Sequence, residues 1–337
     1  MKKNHPNPAH RIGAPGLTRR SLFVGALPLA AAPATSFHRG VNFTAEWPDT
    51  YSSDRARSIL ESLPSYGVNA VAFVPYGFTP AGQPSVRFSG TRAWEKDSAI
   101  RSLSQAARAK GMKVFLKPQI WVRSGAPTDL DFSADTARRQ WFDEYRLYLE
   151  HYAALAAAIR ADLFSVGVEF SRLSRHEQEW RALIARARRI YPGPLTYSAN
   201  WGVEFESVRF WDALDVMGVN NYYPLPDDLA TSTVASRIEQ VQRRFRKPVI
   251  FPEAGFASLE APHRKPWDET VRKLSPEDQA RCYEAVFQGF YRKPWLQGIY
   301  WWKVGSNGFG GTGDGSHTPW RKPAMQVLSR WYLRGGR

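Results

Sequence analysis

The sequence predicts a single (β/α)₈ barrel. Three observations carry that prediction: eight short apolar runs, a helical pattern after each run, and a glutamate at the end of two of them. Strands that alternate with helical segments argue for a parallel sheet. Eight such units are what a closed barrel needs. An open, doubly wound sheet is the alternative, and the absence of a glycine-rich dinucleotide loop after the first run weighs against it.

Taken in order, strands are expected at 39–44, 69–78, 113–122, 163–170, 194–201, 216–225, 247–256 and 296–304. Helices are expected near 54–66, 96–110, 135–160, 174–191, 205–213, 230–246, 275–292 and 320–333. The fourth run is LFSVGVEFS, from Leu163 to Ser171. Val166 and Val168 are β-branched, Leu163 and Phe164 are large and apolar, and Gly167 would admit a neighbouring backbone. A near-continuous apolar run suits a parallel strand covered on both faces. Ending it on Glu169 costs desolvation unless that end opens into a cleft. The seventh run, KPVIFPEAGF, ends in the same way on Glu253. Boundaries agree with the pattern: Ser53 and Ser275 are placed to cap helices, with Pro276 at a first helical position. Gly67 and Gly111 stand where helices should stop. The glycine-rich segment 305–319 follows the eighth strand and reads either as a mobile rim or as a slack surface loop.

Ahead of the barrel, Thr18-Arg19-Arg20-Ser21-Leu22-Phe23 sets paired arginines before the apolar run Leu22 to Ala32. Ala30 to Ala32, or Ala32-Pro33-Ala34, would serve for cleavage. This resembles a bacterial twin-arginine export signal. Residues 1–34 are therefore expected to be a signal peptide and 35–337 the barrel, periplasmic or secreted. The run is too short and too rich in Ala and Pro for a stable membrane span. Residues 1–34 hold Lys2, Lys3, Arg11, Arg19 and Arg20 and no acid, so without them the formal charge falls from +15 to +10.

That charge would support weak affinity for anionic surfaces. No helix-turn-helix, zinc-finger or aromatic RNA-binding signature accompanies it, so no nucleic-acid partner is expected. The one cysteine, Cys282, excludes an internal disulfide and a multi-cysteine zinc site. His38, His151, His176, His263 and His317 are scattered without metal-ligand spacing. No GxSxG elbow points to acyl transfer. No metal or cofactor is expected. Aromatic residues make up 14% of the chain, with 13 Trp, more than an ordinary core needs and suited to stacking on sugar rings.

Residues at the C-terminal ends of barrel strands share one mouth. Reading those ends collects Trp47, Tyr76, Phe78, Lys117, Gln119, Trp121, Glu169, Asn200, Trp201, Asn220, Asn221, Tyr222, Tyr223, Glu253, Trp301, Trp302 and Lys303. Two carboxylates among aromatics and amides is the composition of a carbohydrate cleft, and two glutamates at one mouth are the minimum for acid/base chemistry on a glycosidic bond. The substrate-binding candidates are Trp47, Lys117, Gln119, Trp121, Asn200, Trp201, Asn221, Tyr222, Tyr223 and Trp302.

Glutamates on the fourth and seventh strands resemble the arrangement of the clan A glycoside hydrolases. Gly40-Val41-Asn42-Phe43-Thr44, Trp47, Tyr51-Ser52, Val166-Gly167-Val168-Glu169, Phe251 to Phe256 and Tyr300-Trp301-Trp302 resemble glycoside hydrolase family 113. The similarity runs from about Arg39 to Trp331. It implies a retaining, β-mannanase-like enzyme with Glu169 as acid/base and Glu253 as nucleophile, acting on a β-linked, mannan-like poly- or oligosaccharide. A monomer is expected. Val168 stands where many clan members have Asn, so the contact to the sugar 2-hydroxyl must come from elsewhere, Asn200 or Asn221. Pro252 would stiffen the extended strand end before Glu253. Tyr222 or Tyr223 would orient Glu253, and Trp302 would floor the sugar site. Two other readings share the cleft: a carbohydrate-binding barrel that has lost turnover, and a hydrolase of another β-glycan such as a bacterial exopolysaccharide.

Overall fold

The apolar runs become the staves of a closed barrel. The computed structural model describes residues 37–334 except 93, 124 and 271, so the expected signal peptide lies outside the described residues. Strands are β1 (His38–Thr44), β2 (Ala70–Phe73), β3 (Tyr76–Thr79), β4 (Lys113–Leu116), β5 (Gln119–Val122), β6 (Leu163–Val168), β7 (Leu195–Asn200), β8 (Val216–Asn220), β9 (Val249–Ala254) and β10 (Leu296–Gly305). Eight of them close in the order β1-β10-β9-β8-β7-β6-β4-β2, all parallel. One helix follows each: α1 (Asp54–Ser62), α2 (Asp97–Ala109), α3 (Asp135–Ala158), α4 (Glu177–Ile190), α5 (Val203–Ser207), α6 (Ser232–Phe245), α7 (Pro276–Phe290) and α8 (Pro323–Arg334). Among the described residues no helix is long and apolar enough to cross a membrane.

Expected boundaries meet their physical causes. The Ser53 hydroxyl accepts from the Ala56 N–H at 3.1 Å, and the Ser275 hydroxyl from the Asp278 N–H at 3.3 Å. Gly67 and Gly111 take φ of 79° and 74°, the left-handed backbone that ends a helix most easily at glycine.

Three expectations change. The runs 69–78 and 113–122 each break, at Pro75 and Pro118, because proline has no N–H to give the barrel ladder. The chain resumes beyond each break as β3 and β5, a separate parallel pair with Tyr76 opposite Gln119 and Phe78 opposite Trp121. The helix expected at 205–213 shrinks to α5 and a 3₁₀ turn, Trp211–Ala213. Its buried residues Phe205, Val208, Phe210 and Trp211 do not follow a helical period, so a continuous helix could not bury them all. At Gly167 the close approach comes from rings rather than backbone: a Cβ there would sit 2.7 Å from Tyr197 and 2.8 Å from Trp180.

The barrel lumen is filled, not open. Ala70 and Ala72 leave room for Phe115 and Tyr300, whose rings lie 5.1 Å apart, with Leu163 and Ile250 completing the layer. A packed floor leaves the C-terminal mouth as the place for chemistry.

Candidate active site

The mouth is shaped at three points where a strand carries one residue more than its neighbour. β6 pairs with β7 at Ser165–Thr196 and next at Val168–Ser198. β9 pairs with β10 at Phe251–Ile299 and next at Ala254–Trp301. β10 pairs with β1 at Trp301–Val41 and next at Val304–Phe43. These are β-bulges, which re-aim side chains out of the strict two-residue alternation. Glu169, Glu253 and Trp302 stand at or just past them. Phe251 and Ala254 both pack into the main apolar core, so the extra residue lets Glu253 between them turn to the mouth. Pro252 is therefore part of a bulge, where no ladder N–H is needed, rather than a stiffener of a regular strand end.

Glu169 has φ 55°, a left-handed backbone that costs a non-glycine residue about 1–2 kcal/mol. A hydrogen-bonded set holds the turn. The Glu169 N–H donates to the Ser198 carbonyl at 2.9 Å. The Phe170 N–H donates to the Tyr197 hydroxyl at 3.0 Å, which donates to Glu204 at 2.5 Å. The other Glu204 oxygen accepts from the Ser171 hydroxyl at 2.9 Å and the Asn200 N–H at 2.8 Å. Burial raises Glu204 to about 7 against the pull of these donors.

The two mouth glutamates sit in contrasting fields. Glu253 is paired with the Lys117 ammonium and accepts from the Tyr222 hydroxyl at 3.0 Å. Burial lowers the pKa of Lys117, and Glu253 opposes that shift. Burial and the Glu253 charge hold the Tyr222 phenol well above its usual range, so it remains a donor. Glu169 accepts one hydrogen bond, from the Asn220 amide at 2.9 Å. Burial first, then the charge of Glu253, raise it to about 8. The arrangement presents one carboxyl that keeps its proton near neutrality beside one supported by a cation and a phenol.

Both glutamates open into a cleft of about 440 Å³ lined also by Asn200, Trp201, Tyr222 and Trp302. The Lys117 ammonium lies 4.8 Å from the Trp302 ring centre. Of the alternative tyrosines, Tyr222 reaches Glu253, while Tyr223 is buried against Trp201 at 5.5 Å. Asn200 faces the cleft, whereas Asn221 is buried with its N–H on the Glu253 carbonyl at 2.7 Å. Trp47 is 63% exposed on the loop after β1 and is not part of the cleft wall. Gln119 and Trp121 lie on β5, and Trp121 lines a neighbouring hollow.

The cleft has a wall that the strand ends did not indicate: Trp267, Glu269 and His317. Trp267 stacks on Trp201 at 5.1 Å. His317 contacts Glu269 at 2.5 Å through Nδ1 and the Pro266 carbonyl at 2.6 Å through Nε2, and it holds Glu269 down at about 2. The glycine-rich segment is anchored rather than slack. Ser306 donates its N–H to Thr44 at 2.9 Å, Ser258 donates its N–H to the Gly315 carbonyl at 3.0 Å, and the Gln279 amide donates to the His317 carbonyl at 3.0 Å. These residues sit on long connections with no periodicity, so only the tryptophan content hinted at them.

A closed (β/α)₈ barrel with this cleft is that of a glycoside hydrolase. The chain belongs to glycoside hydrolase family 113, whose sequence profile matches residues 42–309. Among solved structures it is similar to the family 113 β-mannanase of Alicyclobacillus acidocaldarius, with 31% identity and a TM-score of 0.82 over 88% of this chain and 97% of that one. A family 113 β-1,4-mannanase complex aligns with 27% identity and a TM-score of 0.82 over 89% and 99%. A Faecalibacterium prausnitzii β-glucuronidase, at 15% identity and a TM-score of 0.61 over 89% and 49%, shares the fold. No curated protein sequence matches.

Proposed function

We propose that this enzyme is a retaining β-mannanase, with Glu253 as nucleophile and Glu169 as acid/base. The observation that carries the reading is the contrast between the two carboxyls of one cleft. Glu253 has a buried cation and a phenol on it, as an attacking carboxylate requires, and Glu169 is kept protonated near neutrality, as a proton donor requires. The β-mannanases among its relatives support the choice of sugar.

In the first step Glu253 attacks the anomeric carbon while Glu169 gives its proton to the leaving oxygen. In the second, esterified Glu253 no longer carries charge, the pKa of Glu169 falls, and Glu169 takes a proton from water. Retention requires the carboxyl groups to stand about 5–5.5 Å apart, whereas inversion requires roughly 6.5–9.5 Å. Proton NMR of β-1,4-mannan hydrolysis tests this. The β-anomer should form first, and the α-anomer first would overturn the assignment.

We further propose that residues 1–34 export the enzyme, on the strength of Arg19-Arg20 ahead of the short apolar run. Changing both to Lys should hold the protein in the cytoplasm. Undiminished periplasmic yield would count against it.

A further inference from the structure

One built feature of the mouth takes no part in the proposed hydrolysis. On the side where β3 and β5 leave the barrel lies a hollow of about 780 Å³ whose wall includes Tyr76, Arg87, Arg92, Trp94, Glu95 and Trp121. Trp94 and Trp121 are 47% and 57% exposed, unusual for large aromatic side chains without a ligand to cover them. Glu95 is 2% exposed. One of its oxygens accepts the Tyr76 N–H at 3.4 Å, and the other has no partner among the described residues. A buried polar atom without a partner is costly and is most simply completed by a ligand group. Burial raises Glu95 to about 7, so at mildly acidic pH it can donate a hydrogen bond as well as accept one.

The charges of this hollow do not cancel. Glu46 is answered by Lys303 at 2.9 Å. Arg87 has one long contact, 3.4 Å to Gln83, and neither it nor Arg92 has an acidic partner within 4.0 Å among the described residues. On helix surfaces, by contrast, Arg181 pairs with Asp212 at 2.8 Å and Arg188 with Asp215 at 2.9 Å. The hollow neighbours the cleft. Lys303 follows Trp302 in the chain, and the Tyr76 hydroxyl lies in the fields of both Glu253 and Glu95.

We propose that this hollow binds a sugar residue carrying a carboxylate, so that the preferred substrate is an acidic β-linked, mannan-like glycan. The ring stacks on Trp121 or Trp94, a hydroxyl meets Glu95, and the carboxylate meets Arg87 and Arg92. The inference rests on the cleft being that of a mannanase. A uronic acid and an acid substituent such as a succinyl ester present the same chemistry, so the test has an arm for each.

Calorimetry on the full-length Glu253→Ala variant would compare β-1,4-mannohexaose with the same chain partly oxidised at its 6-hydroxyls, and with a succinylated one. At low salt at least one acidic ligand should bind about threefold to tenfold tighter than the neutral one, and the advantage should shrink at high salt. The arm that gains identifies the source of the carboxylate. In the Arg87→Ala/Arg92→Ala background the acidic-to-neutral ratio should fall toward one. The same ratio measured as kcat/KM on the unmodified enzyme guards against a misfolded Glu253→Ala variant. Equal or weaker binding of both acidic chains, or an advantage that survives loss of both arginines, overturns the proposal. If acidic chains are preferred but no mannan is cleaved, the binding site stands and the mannanase reading fails. If neutral mannan is cleaved with no preference, the reverse holds.

Discussion

Glu169 and Glu253 share one cleft at one end of one barrel, yet they are held in different ways. Glu253 is gripped by side chains: the Lys117 ammonium and the Tyr222 hydroxyl both bear on its carboxyl. Glu169 is gripped by its backbone, a left-handed turn tied through Phe170, Ser171 and Tyr197 to the buried Glu204, while its carboxyl receives one amide. A nucleophile has to keep a charge and point at one carbon. An acid/base has to change charge twice per turnover, which a strong ion pair would oppose. Each environment therefore suits the task proposed for it.

The comparison breaks most visibly if the proposed nucleophile is removed. Glu253→Ala should lower turnover by roughly 10⁶-fold on every substrate, the scale seen when a covalent catalyst loses its nucleophile. Glu169→Ala should cost roughly 10²–10⁴-fold on mannan, but it should spare the first step for aryl glycosides whose leaving group departs without a proton. Azide should then rescue that variant as a β-glycosyl azide, followed by product NMR. Azide rescue of the Glu253 variant instead would exchange the roles.

Lys117→Met tests the grip on Glu253. Both partners are nearly inaccessible, with side-chain exposures of 0% and 6%, so removing one leaves a buried charge uncompensated at a cost of about 3–5 kcal/mol in stability. Losing the cation also removes a charge-assisted contact that fixes the carboxylate, so kcat/KM on mannan should fall as well. Chemical denaturation and steady-state kinetics would show both, and an unchanged kcat/KM would mean that Lys117 serves packing alone.

Glu169 can be tested without turnover. Its folded pKa of about 8 lies above the ordinary glutamate value of 4.5, so the folded state binds the proton more tightly. Its favourable contribution is complete below about pH 4.5 and is lost as pH rises to about 8. Glu169→Gln cannot ionise, so its Tm relative to the parent should climb between pH 5 and pH 8. A difference independent of pH would mean that Glu169 is not buried as described.

Much of this contrast could be read in the residues. Both glutamates, Lys117 and Tyr222 emerge by collecting strand ends, because a barrel sends its C-terminal ends to one mouth. The bulges could not be read. A run such as VIFPEA keeps its apolar character whether or not one residue is extra, and only pairing with β10 reveals the slip. Pro75 and Pro118 were visible as residues, but the two apolar runs continued through them, so β3 and β5 merged with the strands before them. Glu204 looks like an ordinary acid in the first turn of a short helix, and its burial follows from Tyr197 and Asn200 arriving from β7. Trp267, Glu269 and His317 come from connections whose path no local pattern fixes.

The finest test concerns Asn220, whose amide donates to Glu169 at 2.9 Å. A donor on a carboxyl favours its ionised form, and this bond opposes the burial and the Glu253 charge that push Glu169 up. Asn220→Ala should therefore raise Glu169 further and move the basic limb of the pH profile upward. The two chemical steps should respond unequally. Glycosylation uses the protonated form, which already dominates at pH 7, and should change little. Deglycosylation uses the ionised form and should slow by a few-fold, up to roughly the tenfold that about 1.4 kcal/mol of a lost charge-assisted hydrogen bond represents. With an aryl mannoside whose first step is fast, the variant should show a larger pre-steady-state burst and a lower steady-state rate. A basic limb that moves down, or a burst that shrinks, would show that the amide acts on the sugar and not on Glu169.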